Sequence, residues 1–286
     1  MTKNTYIKSP LNYTGGKHKL LPQIMPIIYH KPYGYDNFVD LFAGGANVAI
    51  NADANRIIAN DADCRVIDIY KRFQLLNIEE IIAHINYRIN QFKLDKLNQD
   101  GFIELRSMYN QSEDKDPLDL FVLICYSFNH QIRFNQKGEY NMPFGKNRSE
   151  YNPNIEKNLK AFHDKIGRIT FTCKDFRELK VDKLGERDIV YCDPPYLITC
   201  ATYNEKDGWN NTCEIDLLNL LDQINEKGIS FALSNVLENK GEENALLKKW
   251  SVKYNVHHLN YSYSNCNYHA KDKSKGGTDE VLITNF

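Results

Sequence analysis

The sequence predicts an α/β fold in which an open sheet is interrupted by a helical segment ending in a β-hairpin. Three observations predict it. A compact strand-turn-helix-strand unit occupies residues 35–60, runs of helical periodicity follow it, and apolar stretches of strand character return from residue 168 onward.

Asp36 to Phe42 reads as a short buried strand, Ala43-Gly44-Gly45-Ala46 as a tight turn, Val48 to Ala52 as the opening of a helix, and Arg56 to Ala59 as a second strand. Asp61 lies at the carboxyl end of that second strand, 21 residues beyond Asp40. An acid there is where a nucleoside-binding α/β fold places its ribose ligand. From Val66 to Phe92 the apolar residues Ile67, Tyr70, Phe73, Ile78, Ile81, Ile82, Ile85 and Ile89 recur at helical steps. A second helix, Pro117 to Phe128, follows a polar loop. Ile132 to Asn135, a turn at Gln136-Lys137-Gly138, and Glu139 to Phe144 then form a β-hairpin. Arg168 to Cys173, Asp188 to Cys192, Ile229 to Leu233 and Glu280 to Thr284 each read as buried strands, separated by helical stretches such as Ile215 to Lys227. The interruption is long, and its polar, aromatic-containing hairpin has the character of a recognition surface.

The composition, 42% hydrophobic and 12% aromatic over 286 residues, suffices for one large domain or two modest ones. The N-terminal stretch has no apolar h-region, and no uncharged apolar run approaches the roughly 20 residues needed to cross a bilayer, so neither export nor a membrane is expected. Cys64, Cys125, Cys173, Cys192, Cys200, Cys213 and Cys266 contain no CxxC pair, which indicates neither a disulfide framework nor a zinc site and fits a reducing cytoplasm. Thirty-six basic against 37 acidic side chains provide no global attraction for a polyanion. Four Lys or Arg against one acid between His130 and Arg148, and Lys271, Lys273 and Lys275, are the local basic patches. They are either solvated loops or nucleic-acid contacts.

The most specific signal is the strand Ile189 to Cys192 delivering Asp193-Pro194-Pro195-Tyr196 to the carboxyl edge of the sheet, where open α/β sheets bind ligands. Two prolines stiffen the turn and leave its carbonyls as acceptors. Methylating an exocyclic amine needs such groups. The adenine N6 lone pair is conjugated into the ring, and two acceptors on its N–H bonds return electron density to nitrogen as the methyl arrives. The Asp193 carboxylate and the Pro194 carbonyl are the candidates, with Tyr196 as a stacking face, and no metal is called for. Alone, the motif leaves a proline turn at the surface as the lesser alternative; the upstream glycine turn and Asp61 reduce it further in favour of a site. Phe42-Ala43-Gly44-Gly45 is not a GxGxxG fingerprint, and a cofactor without a pyrophosphate needs no third glycine, which favours an adenosyl sulfonium over NAD. Tyr13-Thr14-Gly15-Gly16-Lys17 lacks P-loop spacing; its glycines, aromatic and lysine suit an adenine ring and a carboxylate instead.

Together, Tyr13 to Lys17, Asp40-Leu41-Phe42-Ala43-Gly44-Gly45-Ala46, an insertion, and Asp193 to Tyr196 resemble the Dam-type (D12 class) DNA adenine methyltransferases, in the order of that family's alpha group and over nearly the whole chain. The resemblance implies a Rossmann-like S-adenosylmethionine-dependent methyltransferase domain (residues 1–63 and 166–286) and a target-recognition insertion (64–165). It also implies S-adenosylmethionine contacts at Tyr13, Gly15, Gly16, Lys17, Asp40, Phe42, Gly44, Asp61, Asp175, Phe176 and Asp193, and catalysis by Asp193, Pro194, Pro195 and Tyr196. Tyr13 departs from a Trp common in the family. Phe128, Asn129, Arg133, Asn135, Pro143 and Lys146 parallel a GATC-reading hairpin, with Arg133 as guanine reader and Phe128-Asn129 filling the gap of a flipped adenine. His130-Gln131-Ile132 departs from the Asn-Gly-Leu of GATC readers, so a GATC or other GAT-containing site is implied. Double-stranded DNA is the implied partner, a cognate restriction endonuclease a companion, and a monomer or weak dimer the working form. Two rivals are a methyltransferase of RNA adenine or another amine or amide, and a catalytically inactive DNA-binding homologue. The former more often carries Asn in place of Asp193 and lacks the hairpin, while the intact Asp193 to Tyr196 motif argues against the latter.

Overall fold

The structure is a computed structural model that describes residues 6–198, 208–260 and 277–286; Lys271, Lys273, Lys275, Cys200 and Cys266 lie outside the described residues. In chain order its elements are α1 (Leu21–Ile28), β1 (Tyr35–Asp40), β2 (Ala54–Asp61), α2 (Cys64–Leu75), α3 (Ile78–Phe92), α4 (Gln99–Gln111), α5 (Pro117–Tyr126) and α6 (Pro153–Ile166). Then follow β3 (Ile169–Cys173), β4 (Ile189–Cys192), α7 (Asn211–Glu226), β5 (Ser230–Asn239), β6 (Glu242–Glu243), α8 (Ala245–Ser251), β7 (Asn255–Leu259) and β8 (Thr278–Thr284). Contacts divide the chain into a helical unit (Met1–Lys19, Ala43–Asn51, Asp63–Cys173) and a sheet unit (Leu20–Phe42, Ala52–Ala62, Lys174–Phe286).

The helices of the helical unit begin where short polar side chains can cap them. Asp63 accepts from Arg65 N to open α2, Asn77 and Glu80 form a capping box on α3, and Asn98 accepts from Gly101 N on α4. Asp116 and Asn152 cap α5 and α6, each followed by a proline at the first helical position. The periodic stretch 66–92 is therefore two helices, separated where Leu76 leaves helical geometry before the Asn77 cap. Residues 49–51 make only a single 3-10 turn, because the Asn51 amide is turned onto Ile7 N, Ile7 O and Asn47 O, which ties the N-terminal segment to this loop. Aromatic rings fill the core: Tyr70 stacks on Phe171 at 4.9 Å and Phe73 meets Phe121 edge-on at 5.2 Å.

The expectation of no disulfide is corrected here. Cys64, at the start of α2, is bonded to Cys173, at the end of β3. At a sequence separation of 109, nothing in their local spacing marks the pair, and the cysteine pattern carries no weight on compartment.

Asp119 of α5 is 4% exposed and receives Arg88 Nε at 2.7 Å, Arg88 Nη2 at 2.9 Å and His84 Nε2 at 2.7 Å. Burial alone would raise its carboxyl, but these bonds outweigh it and hold the group below its ordinary value. A depressed carboxyl stabilises the fold above the unfolded-chain value and loses that contribution as pH falls through the folded one. Asp119→Asn should therefore cost roughly 3 kcal/mol at neutral pH by leaving Arg88 without its counter-charge. Urea unfolding at neutral pH and below about pH 4 checks it, the wild type converging on the variant in acid.

In the sheet unit the strand order is β2-β1-β4-β5-β8-β7, with β6 beside β5. β2, β1, β4 and β5 run parallel, while β8 runs antiparallel between β5 and β7. Leu217, Leu221 and Ile224 of α7 pack with Val190, Phe231 and Leu233 of the strands, buried on both sides as parallel strands require. This is an open, mostly parallel α/β sheet with an antiparallel strand inserted near one edge, as the strand pattern of the sequence leads one to expect. No helix among the described residues is long and apolar enough to cross a membrane.

Candidate functional site

The strand order reverses at β1 and β4: from β1 the chain continues to β2 on one side, while β4 and β5 lie on the other. At such a switch point the loops leave in opposite directions and open a crevice at the carboxyl ends of the strands. Those ends carry the motif residues. Asp40, 1% exposed, is the last residue of β1 and pairs in register with Tyr191; Leu41 N donates to Tyr191 O at 2.9 Å. Past Cys192 come Asp193, half-buried, then Pro194, buried, and Pro195, exposed. Tyr196 Oη donates to Asp193 Oδ1 at 2.9 Å and lies 3.3 Å from Glu280 Oε1. Burial, and then the charges of Asp193 and Glu280, push the Tyr196 phenol well above its ordinary value, so it remains a donor at neutral pH.

Beside this edge three rings meet. Phe42 lies 5.4 Å from Phe176 and 5.6 Å from Trp209, and Phe176 lies 5.5 Å from Trp209. Trp209 is held by its Nε1 donating to Glu214 Oε2 at 2.6 Å; burial pushes the Glu214 carboxyl up against the bonds from Trp209, Asn244 and Asn235. Asp61 ends β2, half-buried. Its neighbour Asn60 is 5% exposed and donates to Leu41 O at 3.2 Å and Lys174 O at 2.9 Å, which fixes the ends of β1 and β2 against the segment leading to Asp175 and Phe176. Asp175 caps the turn Phe176–Glu178 and pairs with Arg177, whose guanidinium also reaches Asp216. An adenosyl group fits this donor set: a carboxylate at the end of the second strand for ribose hydroxyls, and aromatic faces for a flat base.

In the helical unit, Tyr13 to Lys17 and Ala43 to Asn47 form two touching turns. Gly16 N donates to Tyr13 O at 3.1 Å, Lys17 is 4% exposed and its Nζ donates to Gly15 O at 2.7 Å, and Asn47 Oδ1 accepts from Ser9 N at 3.0 Å. Gly44 has φ +45°, and a Cβ there would stand 2.8 Å from the Tyr13 ring. Gly44→Ala should therefore cost about 2 kcal/mol or more, from the left-handed backbone and the clash together. Gly15→Ala, at φ +78° but with nothing within 4 Å, should cost only about 1 kcal/mol. Chemical denaturation of the two variants side by side checks the difference.

The hairpin forms, but as two isolated bridges, Ser127 with Phe144 and Phe134 with Tyr140. Asn135 closes its turn, its Oδ1 accepting from Lys137 N at 2.9 Å and Glu139 N at 3.0 Å and its Nδ2 donating to Glu139 Oε2 at 2.7 Å. Both ends of that amide are thus engaged in shaping the turn. Arg133 is exposed, and its side edge is held: Nε donates to Asn141 Oδ1 at 2.9 Å and Nη2 to Asn141 O at 2.8 Å. These bonds leave the end-on edge, Nη1 with the second Nη2 hydrogen, directed away from Asn141. Phe128 is 39% exposed beneath the Arg148 guanidinium, 4.9 Å from its ring, and Asn129 and His130 both adopt positive φ, 55° and 54°. Pro143 and Lys146 are exposed, and Pro143 O accepts from Phe128 N at 2.8 Å.

The sequence model of the D12 class N6 adenine-specific DNA methyltransferases matches residues 13–265. The chain belongs to that family. The type II methyltransferase M.FokI of Planomicrobium okeanokoites is 50% identical over 99% of this chain, and the modification methylase StsI of Streptococcus sanguinis is 45% identical over 98%. The chain spans 43% of the length of either relative. The DNA adenine methylase of Vibrio cholerae is 31% identical over 79% of the chain and 80% of that relative.

In this D12-class chain the sheet unit brings together Asp40, Phe42, Asp61, Asp175, Phe176 and Asp193 to Tyr196 at one edge. The helical unit holds Tyr13, Gly15, Gly16, Lys17, Gly44 and the hairpin residues. Sequence reasoning misses Asn60, Trp209, Glu214 and Glu280, whose parts are played through bonds to other candidates, and places Asn141 in the hairpin without its bonds to Arg133. It also misses Arg106 and Asn110 of α4, which grip the second hairpin strand at Met142 O and Tyr140. For α4 a signal exists: Asn98 as cap, then Phe102, Leu105 and Tyr109 on one helical face.

Proposed function

We propose that the chain is a site-specific DNA adenine-N6 methyltransferase, acting on a flipped-out adenine in double-stranded DNA at a GATC or other GAT-containing site. The observation that carries this is Asp193-Pro194-Pro195-Tyr196 at the switch point of the sheet in a D12-class chain, with Asp193 oriented by the Tyr196 hydroxyl.

When bound, S-adenosylmethionine supplies an already activated methyl group on a sulfonium. The chain's residues do the rest. Asp193 accepts one N6–H bond of the adenine and the Pro194 carbonyl the other, returning the lone pair to nitrogen; Tyr196 stacks on the base. Asp61 accepts from ribose hydroxyls, Phe42, Asp175 and Phe176 flank the cofactor adenine, and Asp40, Tyr13, Gly15, Gly16, Lys17 and Gly44 complete the cofactor contacts. Residues 64–165 form the target-recognition insertion. Arg133 reads a guanine through its end-on edge, Phe128 and Asn129 fill the gap of the flipped base, and Asn135, Pro143 and Lys146 contact DNA, Asn135 also shaping the loop that presents Arg133.

The names of M.FokI and StsI, a type II methyltransferase and a modification methylase, support a role beside a restriction endonuclease. We place that role in the cytoplasm. The test is to incubate the protein with methyl-labelled S-adenosylmethionine and unmethylated duplex DNA, RNA and protein, then digest to monomers. Label in N6-methyladenine of DNA is expected; label confined to RNA or protein contradicts it.

A further inference from the structure

Glu280 is 3% exposed, sits on β8 opposite Val236 of β5 and Leu259 of β7, and meets the catalytic motif through Tyr196. The Tyr196 hydroxyl stands between two carboxylates, 2.9 Å from Asp193 Oδ1 and 3.3 Å from Glu280 Oε1, and it has one proton to donate. Glu280 also bears on the buried hydroxyl of Tyr191, which is 2.8 Å from Ser234 Oγ and stays protonated under burial and the nearby charges of Asp193, Asp40 and Glu280. The floor of the motif is thus a polar network within the β4, β5 and β8 strands and the turn after β4.

We propose that Glu280 is a positioning residue for methyl transfer, acting as the second acceptor of the Tyr196 hydroxyl. In the resting arrangement the proton is donated to Asp193 at the shorter distance. When an exocyclic amine presents its N–H to Asp193, the same hydroxyl rotates its donation to Glu280. Asp193 then offers the oxygen that the hydroxyl releases to the amine, and Tyr196 keeps its ring anchored through its own oxygen. No covalent bond forms or breaks in this step; one hydrogen bond is exchanged for another. The proposal rests on the adenine-methyltransferase reading.

The test is a double-mutant cycle between Tyr196→Phe and Glu280→Met, read as the single-turnover methyl-transfer rate constant on duplex DNA, with S-adenosylmethionine Kd and thermal melting measured on every variant. Glu280→Met should slow transfer about 10-fold or more with Kd within about threefold, because a lost acceptor affects the amine and not the cofactor. In the Tyr196→Phe background the same change should cost less than about twofold, since the link is already cut. Equal slowing in both backgrounds, or none in either, overturns the proposal. Glu280→Gln, which keeps an acceptor oxygen, guards against misfolding. A rate between those of wild type and Glu280→Met, whose deficit vanishes with Tyr196→Phe, supports the proposal. If Glu280→Met does not fold and Glu280→Gln has no effect, Glu280 is a core residue only and the proposal fails. Absence of methyl transfer by the wild type would instead sink the function reading itself, which separates the two failures.

Discussion

Asp193→Ala should lower methyl transfer to DNA by about 1000-fold, in line with removing one pre-positioned group that stabilises developing charge. The carboxylate leaves the end of β4 half-buried, oriented by the Tyr196 hydroxyl at 2.9 Å. Its substitution removes the charged acceptor for the amine proton and one of the two acceptors of the Tyr196 hydroxyl together. S-adenosylmethionine binding should survive within a few-fold, because the Phe42, Phe176 and Trp209 rings and Asp61 stand on other segments of the edge. Single-turnover kinetics with saturating cofactor, beside isothermal titration of the cofactor alone, separates the two effects. Retained turnover would remove Asp193 from the chemistry.

Arg133→Ala should cost about 1 to 3 kcal/mol of discrimination at one guanine, with smaller losses on DNA lacking that base. The size follows from the preparation of the guanidinium. Asn141 occupies its side edge with two bonds, so little side-chain freedom remains to be lost when the end-on edge meets O6 and N7. The hairpin has few main-chain bonds of its own, and α4 holds it from outside through Arg106 and Asn110. Competition binding on duplexes varied at each position checks the prediction. Equal weakening on all sequences would make Arg133 a phosphate contact.

The elements that sequence reasoning reaches are those whose side chains repeat with the backbone. The strands beginning near Asp36, Arg168, Asp188, Ile229 and Glu280, and the helices from Val66 and Pro117, all stand where period and turn residues put them. The glycine turns are legible as turns. That Gly44 makes room for the Tyr13 ring is not, because the two are far apart in the chain. The same holds for Cys64 and Cys173, and for Asn60, whose amide bridges Leu41 and Lys174. Side-chain to main-chain bonds have no period, so the sequence offers Asn135 as a DNA contact but does not show that its amide also closes a turn. The Asp193-Pro194-Pro195-Tyr196 motif is legible by its residue types; Glu280, whose carboxylate lies beside the Tyr196 hydroxyl, is hidden inside a strand pattern that reads as core.

The central claim, methylation of adenine N6 at a defined DNA site, is tested most directly by incubating unmethylated genomic DNA with the protein and S-adenosylmethionine and mapping N6-methyladenine by sequencing. Modification confined to adenines in one short motif containing GAT, and absent with Asp193→Ala, is the predicted result. Unmodified DNA, or modification scattered without a motif, would contradict it.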